Sequence, residues 1–222
     1  MSWLAVRMAT VAVAFLLPGL QAQAQPIPMS PELKAFLTRP EEQQAFGGMM
    51  NQIWRSTVEN CPSPGVRGMN VVIGVPPKFD QAGLPKSGEW RVVAQFEGCG
   101  KARTLTVLYL FGPDGRMMRA GLLPGTTITD LRLQKDALLY AAMGMTRIAP
   151  KDCKDIKYTD TKFISFEGST PPTAAEIGKR PWAEEWTVRA CGVTGVVTLN
   201  FSPNATGTQI SSEVNKTRRV DP

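Results

Sequence analysis

The sequence predicts an α+β fold of two tandem repeats, each with one helix packed on a small antiparallel sheet and one internal disulfide. Each of two amphipathic segments is followed by β-rich runs that Gly and Pro separate. The cysteines also form two pairs, 61 with 99 and 153 with 191, each separated by 38 residues and related by an offset of 92. With 222 residues, 43% hydrophobic and 20% charged, the chain has a globular composition.

Further residues recur at the offset of 92. Trp90 maps to Trp182, and Gly100 maps to Gly192. A two-residue deletion in the second copy then places Thr104, Val107, Phe111 and Pro113 on Thr194, Val197, Phe201 and Pro203. This self-similarity indicates an internal duplication.

Four cysteines allow three disulfide connectivities. A duplicated unit with one pair in each copy favours Cys61–Cys99 and Cys153–Cys191, although the spacing by itself does not prove that pairing. Closing a loop of this size contributes roughly 4 kcal/mol in the chain-entropy model. Because Cys-x-x-Cys spacing is absent, the thiols are interpreted as structural rather than redox-active or metal-binding.

The first 24 residues have the pattern of a secretory signal peptide. Arg7 precedes an apolar stretch over residues 8–20, and Ala22-Gln23-Ala24 is a small-x-small cleavage site. An uncleaved membrane anchor is the alternative, but this stretch contains Pro18 and is shorter than the roughly 20 residues of a spanning helix. We therefore expect a periplasmic or secreted protein that begins at Gln25 and has no transmembrane segment.

Residues 25–40 are interpreted as a leader with a short helix, since Ser30, Pro31 and Glu32 form a helix-start pattern. The first repeat, residues 41–125, opens with a helix whose start pattern is at Thr38 and Pro40. Strands are predicted at 70–75, 90–97, 104–111 and 116–123, with a turn at 112–115. The apolar face of the helix comprises Phe46, Met49, Met50, Ile53, Trp54 and Val58.

The second repeat, residues 126–216, begins with a helix that Thr129 and Asp130 cap. Strands are predicted at 162–167, 185–190, 193–201 and 208–214. Residues 217–222 form a basic tail, which we expect to be solvated and frayed. The helix is predicted to run through Leu131, Leu138, Leu139, Ala142 and Met145.

Residues 181–192 contain the pattern Trp-x-Val-x-x-Cys-Gly, carried by Trp186, Val188, Cys191 and Gly192, and residues 201–208 extend the similar region. This pattern resembles one found in uncharacterised exported proteobacterial proteins. The resemblance implies a periplasmic location and a small, disulfide-bonded, β-rich module. It implies no activity.

The chain contains no histidine, which excludes Ser-His-Asp and Cys-His catalytic sites and histidine metal ligands. Ser-x-x-Lys and glycine-rich phosphate loops are also absent. Glu184 and Glu185 are adjacent, so we expect them to flank a strand start rather than to form a catalytic pair. We predict no catalytic residue, no cofactor and no metal site.

The tryptophans allow two interpretations. Indoles close to the disulfides can complete small cores, which is the favoured interpretation. In the alternative, Trp182 and Trp186, together with Arg180 and Arg189, form an exposed platform that stacks on a sugar or grips a peptide. The burial of the two indoles distinguishes the interpretations.

The favoured function is a non-catalytic periplasmic binding module, whose partner is another envelope protein or an anionic wall or outer-membrane polymer. The formal charge of +6 favours anionic partners, while export makes nucleic acid an unexpected one. A hydrolase whose Asp and Glu residues meet only in the fold is an alternative. A protease-inhibitor or chaperone-like module is another, with variable loops at 76–85 and 169–181. The sequence leaves the oligomeric state open.

Overall fold

A computed structural model describes residues 28–58, 61, 64–168 and 179–220. The fold is α+β, with two antiparallel sheets and few helices, as the sequence predicts. The proposed signal peptide, residues 1–24, lies outside the described residues. Among the described residues, no helix is both long enough and apolar enough to span a membrane.

Two helices precede the first sheet. Helix α1 (Pro31–Leu37) begins as predicted, because the Ser30 side chain accepts a hydrogen bond from the Leu33 amide and proline occupies the first turn. Helix α2 (Pro40–Thr57) has Arg39 rather than Thr38 at its N-cap. Thr38 instead ends α1, since its hydroxyl donates to the carbonyls of Lys34 and Ala35.

The first sheet has the order β1-β2-β3-β4. Half of residues 76–85, which we expected to be a long loop, belong to strands, so that residues 80–84 alone connect β1 to β2. The antiparallel ladder extends these two strands well beyond their local β-rich runs. The four strands are β1 (Gly65–Phe79), β2 (Pro85–Gly98), β3 (Lys101–Phe111) and β4 (Met117–Gly121).

Helix α3 (Leu131–Met145) is capped by Asp130 and precedes the second sheet. A short 3₁₀ helix, Val214–Lys216, leads to the last strand. Residues 218 and 219, expected in a frayed tail, instead pair with β7, so the end of the described chain is anchored. The strands are β5 (Ile156–Phe166), β6 (Trp182–Ala190), β7 (Val193–Asn204), β8 (Gly207–Ser212) and β9 (Arg218–Arg219).

Both disulfides connect the cysteines that the sequence favours, Cys61 with Cys99 and Cys153 with Cys191. Cys99 and Cys191 lie in the tight turns that join β2 to β3 and β6 to β7. In each turn the cysteine and the glycine that follows have positive φ angles, which fits the two-residue turn preferred between antiparallel strands.

The strand registers also correct the predicted sequence alignment. Trp90 pairs with Tyr109, and Trp182 pairs with Phe201, so Tyr109 and Phe201 are related by the same offset of 92 as the tryptophans. No two-residue deletion therefore separates β2 from β3 relative to β6 and β7. The next hairpin differs in length by one residue, since five residues lie between the paired Phe111 and Met117 and four lie between the paired Pro203 and Thr208.

The buried face of α3 differs from the run of large residues in its sequence. Leu139 is 64% exposed, whereas Ala137 and Ala141 are buried. A Cβ added at Gly144 would overlap the Val197 side chain on β7. Small residues therefore form the closest part of the contact, where they let the helix approach the sheet, and Met145 is buried beside them.

Residues 122–130 join the two sheets. The amides of Leu122 and Gly125 donate to Thr106 and Thr104 at the edge of β3. The segment then follows the edge of β5, where the Thr126 amide donates to the Thr161 carbonyl at 2.8 Å. Arg103 lies 3.9 Å from Asp160 across the same junction. The second sheet is thus tied to the first by backbone hydrogen bonds.

Gly125 is required at this junction. Its φ angle is +108°, and an added Cβ would lie 2.6 Å from the Thr161 nitrogen and closer still to its carbonyl oxygen. We expect Gly125→Ala to lower the free energy of unfolding by at least about 3 kcal/mol, because the added methyl group would force the 122–130 segment away from β5. Gly115→Ala is the control, since its φ is also positive but its space is open; it should cost about 1 kcal/mol. Equal losses in urea denaturation would contradict this role.

Asp160 gives the junction a pH dependence. Burial raises the pKa of its carboxyl above the ordinary range, although Arg103 and the Thr161 amide oppose the shift. The folded state therefore holds this proton more tightly, and stability is lost as the pH rises above about 4. We expect Asp160→Asn to gain stability relative to the parent protein between pH 3.5 and pH 7 in urea denaturation. A constant difference across that range would show that the carboxyl does not act in this way.

Candidate functional site

An open, mostly apolar groove lies in the first half of the chain, between α1, α2 and the inner face of the first sheet. We call it the N-terminal groove. Its volume is about 730 Å³, within the usual range of small-molecule pockets. Its apolar lining comprises Met29, Leu37, Phe46, Val66, Met69 and Val92, among other residues.

Two lining residues on β1 face the core side of the sheet without being covered. Val66 pairs with Phe96, and Met69 pairs with Ala94; both partners are buried in the core. Because directly opposed residues share a face, Val66 and Met69 belong to the same layer. They are nevertheless 58% and 61% exposed. Part of the inner sheet face is therefore uncovered at the groove.

A buried ionic cluster lies at the base of the groove. Glu42 on α2 is 2% exposed, and its carboxylate accepts hydrogen bonds from the Tyr109 hydroxyl at 2.8 Å and from Arg119 Nε at 2.9 Å. A second Arg119 nitrogen, Nη2, pairs with the other carboxylate oxygen. Burial, followed by the Glu42 charge, raises the pKa of Tyr109, and Glu42 raises the pKa of Arg119. The carboxylate is thus paired with Arg119 and hydrogen-bonded to Tyr109, and this cluster holds α2 against β3 and β4 at the base of the groove.

The second half holds a different buried carboxylate. Glu184 on β6 is 0% exposed and accepts hydrogen bonds from four donors. Trp182 and Trp186 donate their indole N–H groups at 3.1 and 2.8 Å. The Thr127 hydroxyl and the Ile128 amide donate at 3.1 and 3.0 Å. Glu184 thereby holds the segment before α3 against the sheet.

The exposed tryptophan platform is not present. Trp182 is 4% exposed and Trp186 is 0% exposed, because both indoles pack in the second core with their N–H groups on Glu184. Arg189 alternates to the opposite face of β6 from the two indoles, and Arg180 donates to the backbone carbonyl of Glu167. The interpretation of the tryptophans as core residues is the one that the structure supports.

Glu184 and Glu185 lie within β6 rather than flanking its start. Their side chains point to opposite faces: Glu184 is buried, whereas Glu185 pairs with Arg218 at 3.3 Å. The two carboxylates therefore do not converge on one site. Among the described residues, no group of three or more Cys, Asp or Glu side chains is arranged to hold a metal ion.

The two halves differ at the position that closes the second core. Val92 on β2 and Glu184 on β6 are 92 residues apart and occupy matching register positions, paired with Val107 and Leu199. Val92 lines the groove and offers no acceptor. The buried Trp90 indole N–H accordingly has no hydrogen-bond partner among the described residues, whereas Trp182 has Glu184.

Local conformation reinforces this difference. The segment before α3 contains Pro124, Gly125 and several β-branched residues, and it is extended along β5. Its Leu123 and Ile128 pack against the second core. The segment before α2 is instead the helix α1, whose backbone hydrogen bonds are internal. Among the described residues, β1 consequently pairs with β2 alone, and its outer edge stays open beside the groove.

Sequence reasoning did not identify the groove. The predicted site residues do not include Glu42, and Val66 and Met69 lie outside the predicted strand at 70–75. One signal was available: at the offset of 92, Val92 stands where the second half has Glu184. The two halves therefore differ in side-chain chemistry at this position, which is apolar in the first half and a buried acid in the second.

Comparison with known proteins gives no assignment. No protein-family model matches the chain, and no curated protein sequence or solved structure shows significant similarity to it. The geometry of the described residues is therefore the basis for the functional proposal.

Glu184 should dominate the stability of the second half. Glu184→Leu leaves two buried indole N–H groups and the Ile128 amide without an acceptor, so we expect a loss of about 3 to 5 kcal/mol in the free energy of unfolding. Glu185→Gln is the control on the same strand; its exposed ion pair contributes at most about 1 kcal/mol. Similar losses for both variants in urea denaturation would refute a special role for Glu184.

Proposed function

We propose that this protein is a non-catalytic binding module of the bacterial cell envelope and that the N-terminal groove is its binding site. The observation that carries the proposal is the uncovered, core-facing apolar surface at Val66 and Met69. Apolar residues left open in a concave surface are characteristic of ligand sites. The engaged state of Glu42 favours binding over acid–base catalysis.

The cellular compartment belongs to the same proposal. Two disulfides fit an extracellular or secreted protein, and the signal-peptide pattern at residues 1–24 adds the expectation of export. The Trp-x-Val-x-x-Cys-Gly resemblance is consistent with a periplasmic location. In that compartment the available partners are envelope proteins, wall polymers and membrane-derived amphiphiles.

We further propose that the two halves arose by tandem duplication and then diverged in function. The shared offset of 92, the matching β2–β3 and β6–β7 registers and the equivalent disulfides support common ancestry. In this interpretation the second half became a closed structural unit, held by Glu184. The first half retained or acquired the open groove.

Binding of an apolar dye tests the site. We expect one saturable site per chain for a fluorescent naphthylamine dye, and Met69→Trp should remove it by filling the groove. Val72→Trp is the matched control, because Val72 is 48% exposed on the same strand but pairs with Arg91 on the outer face. Circular dichroism should show that both variants are folded. Retention of dye binding by Met69→Trp would reject the groove as the binding site.

A further inference from the structure

The charges around the N-terminal groove indicate the chemistry of its occupant. Lys34 and Glu42 are the two charged residues of its described lining. Glu42 is neutralised by Arg119 and also accepts from Tyr109. Lys34 is exposed and has no ion-pair partner among the described residues. The uncompensated charge of the groove is therefore positive.

A buried hydrogen-bond donor that contacts the groove lining also lacks a partner among the described residues. Trp90 stacks on the lining residue Tyr109, with ring centroids 5.1 Å apart, and its buried N–H has no acceptor among the described residues. In the second half, the corresponding Trp182 N–H is satisfied by the Glu184 carboxylate. The groove lining thus has an uncompensated cation and an acid that is already paired, while the unpaired indole donor lies in the buried core against Tyr109.

We propose, resting on the proposed function, that the N-terminal groove binds a long-chain fatty-acid anion. The acyl chain lies along the apolar lining that includes Val66 and Met69, and the carboxylate is attracted by Lys34. Apolar contact supplies most of the affinity, at about 25 cal/mol for each Å² removed from water. The charge on Lys34 supplies the preference for an anionic head group.

The test uses the mature chain and two probes of equal chain length, dodecanoate and dodecyltrimethylammonium, both below their micelle concentrations at pH 8. Displacement of the naphthylamine dye reports binding. We expect dodecanoate to bind more tightly than the cationic probe. Lys34→Gln should weaken dodecanoate binding about fivefold, the upper range for an exposed ion pair, without weakening the cationic probe. Lys34→Glu should reverse the preference between the probes.

Lys151→Gln is the charge control, because Lys151 is an exposed turn residue outside the groove. It should leave the affinities for both probes unchanged. Met69→Trp should abolish binding of both probes, while Val72→Trp should bind both as the parent protein does.

Equal affinity for the two probes, or a Lys34→Gln variant with unchanged preference, overturns the fatty-acid inference. The binding function itself survives that result if Met69→Trp still removes the dye site. If neither probe displaces the dye, the fatty-acid inference is overturned, but the proposed binding function is not. Dye binding that Met69→Trp leaves intact overturns the groove and the inference together.

Discussion

The path of residues 122–130 along the edge of β5 is the constraint on which the arrangement of the two sheets depends. The amides of this segment donate hydrogen bonds first to carbonyls of β3 and then to a carbonyl of β5, and Gly125 permits the close crossing. Its far end is held by Glu184 through Thr127 and Ile128. One extended segment therefore joins the sheets, covers an edge strand and closes the second core.

The first half has no corresponding extended segment among its described residues. Helix α1 precedes α2 and contributes Leu33 and Phe36 to the first core, but a helix cannot pair with the edge of β1. At the position corresponding to Glu184 the first sheet has Val92, which holds no backbone donor. The open edge and the groove follow from these two differences. The groove thus lies where the first half has no closing segment among its described residues.

Buried carboxylates stabilise the halves in different ways. Glu42 forms an ion pair with Arg119, so its loss leaves a partly buried cation without its anion. Glu184 has four hydrogen-bond donors and no ion pair among the described residues. At the offset of 92 from Glu42 stands Gln134, whose amide bonds Leu123 and Thr129. The two halves, whose β2–β3 and β6–β7 registers match, therefore contain different buried polar networks.

The sequence by itself determined the fold class, the helix starts at Ser30 and Asp130 and the strand-rich regions, and it favoured the disulfide pairing that the structure shows. These features depend on local caps, periodicity and cysteine spacing, which can be read along the chain. The tertiary structure decided the rest. The ladder extended β1 and β2 beyond their local signals, close packing selected the small face of α3, and burial placed Trp182 and Trp186 in the core. The groove is also a feature that tertiary packing determines. Whether Val66 and Met69 are covered depends on segments distant in sequence, and no local sequence pattern predicts that a covering strand is missing.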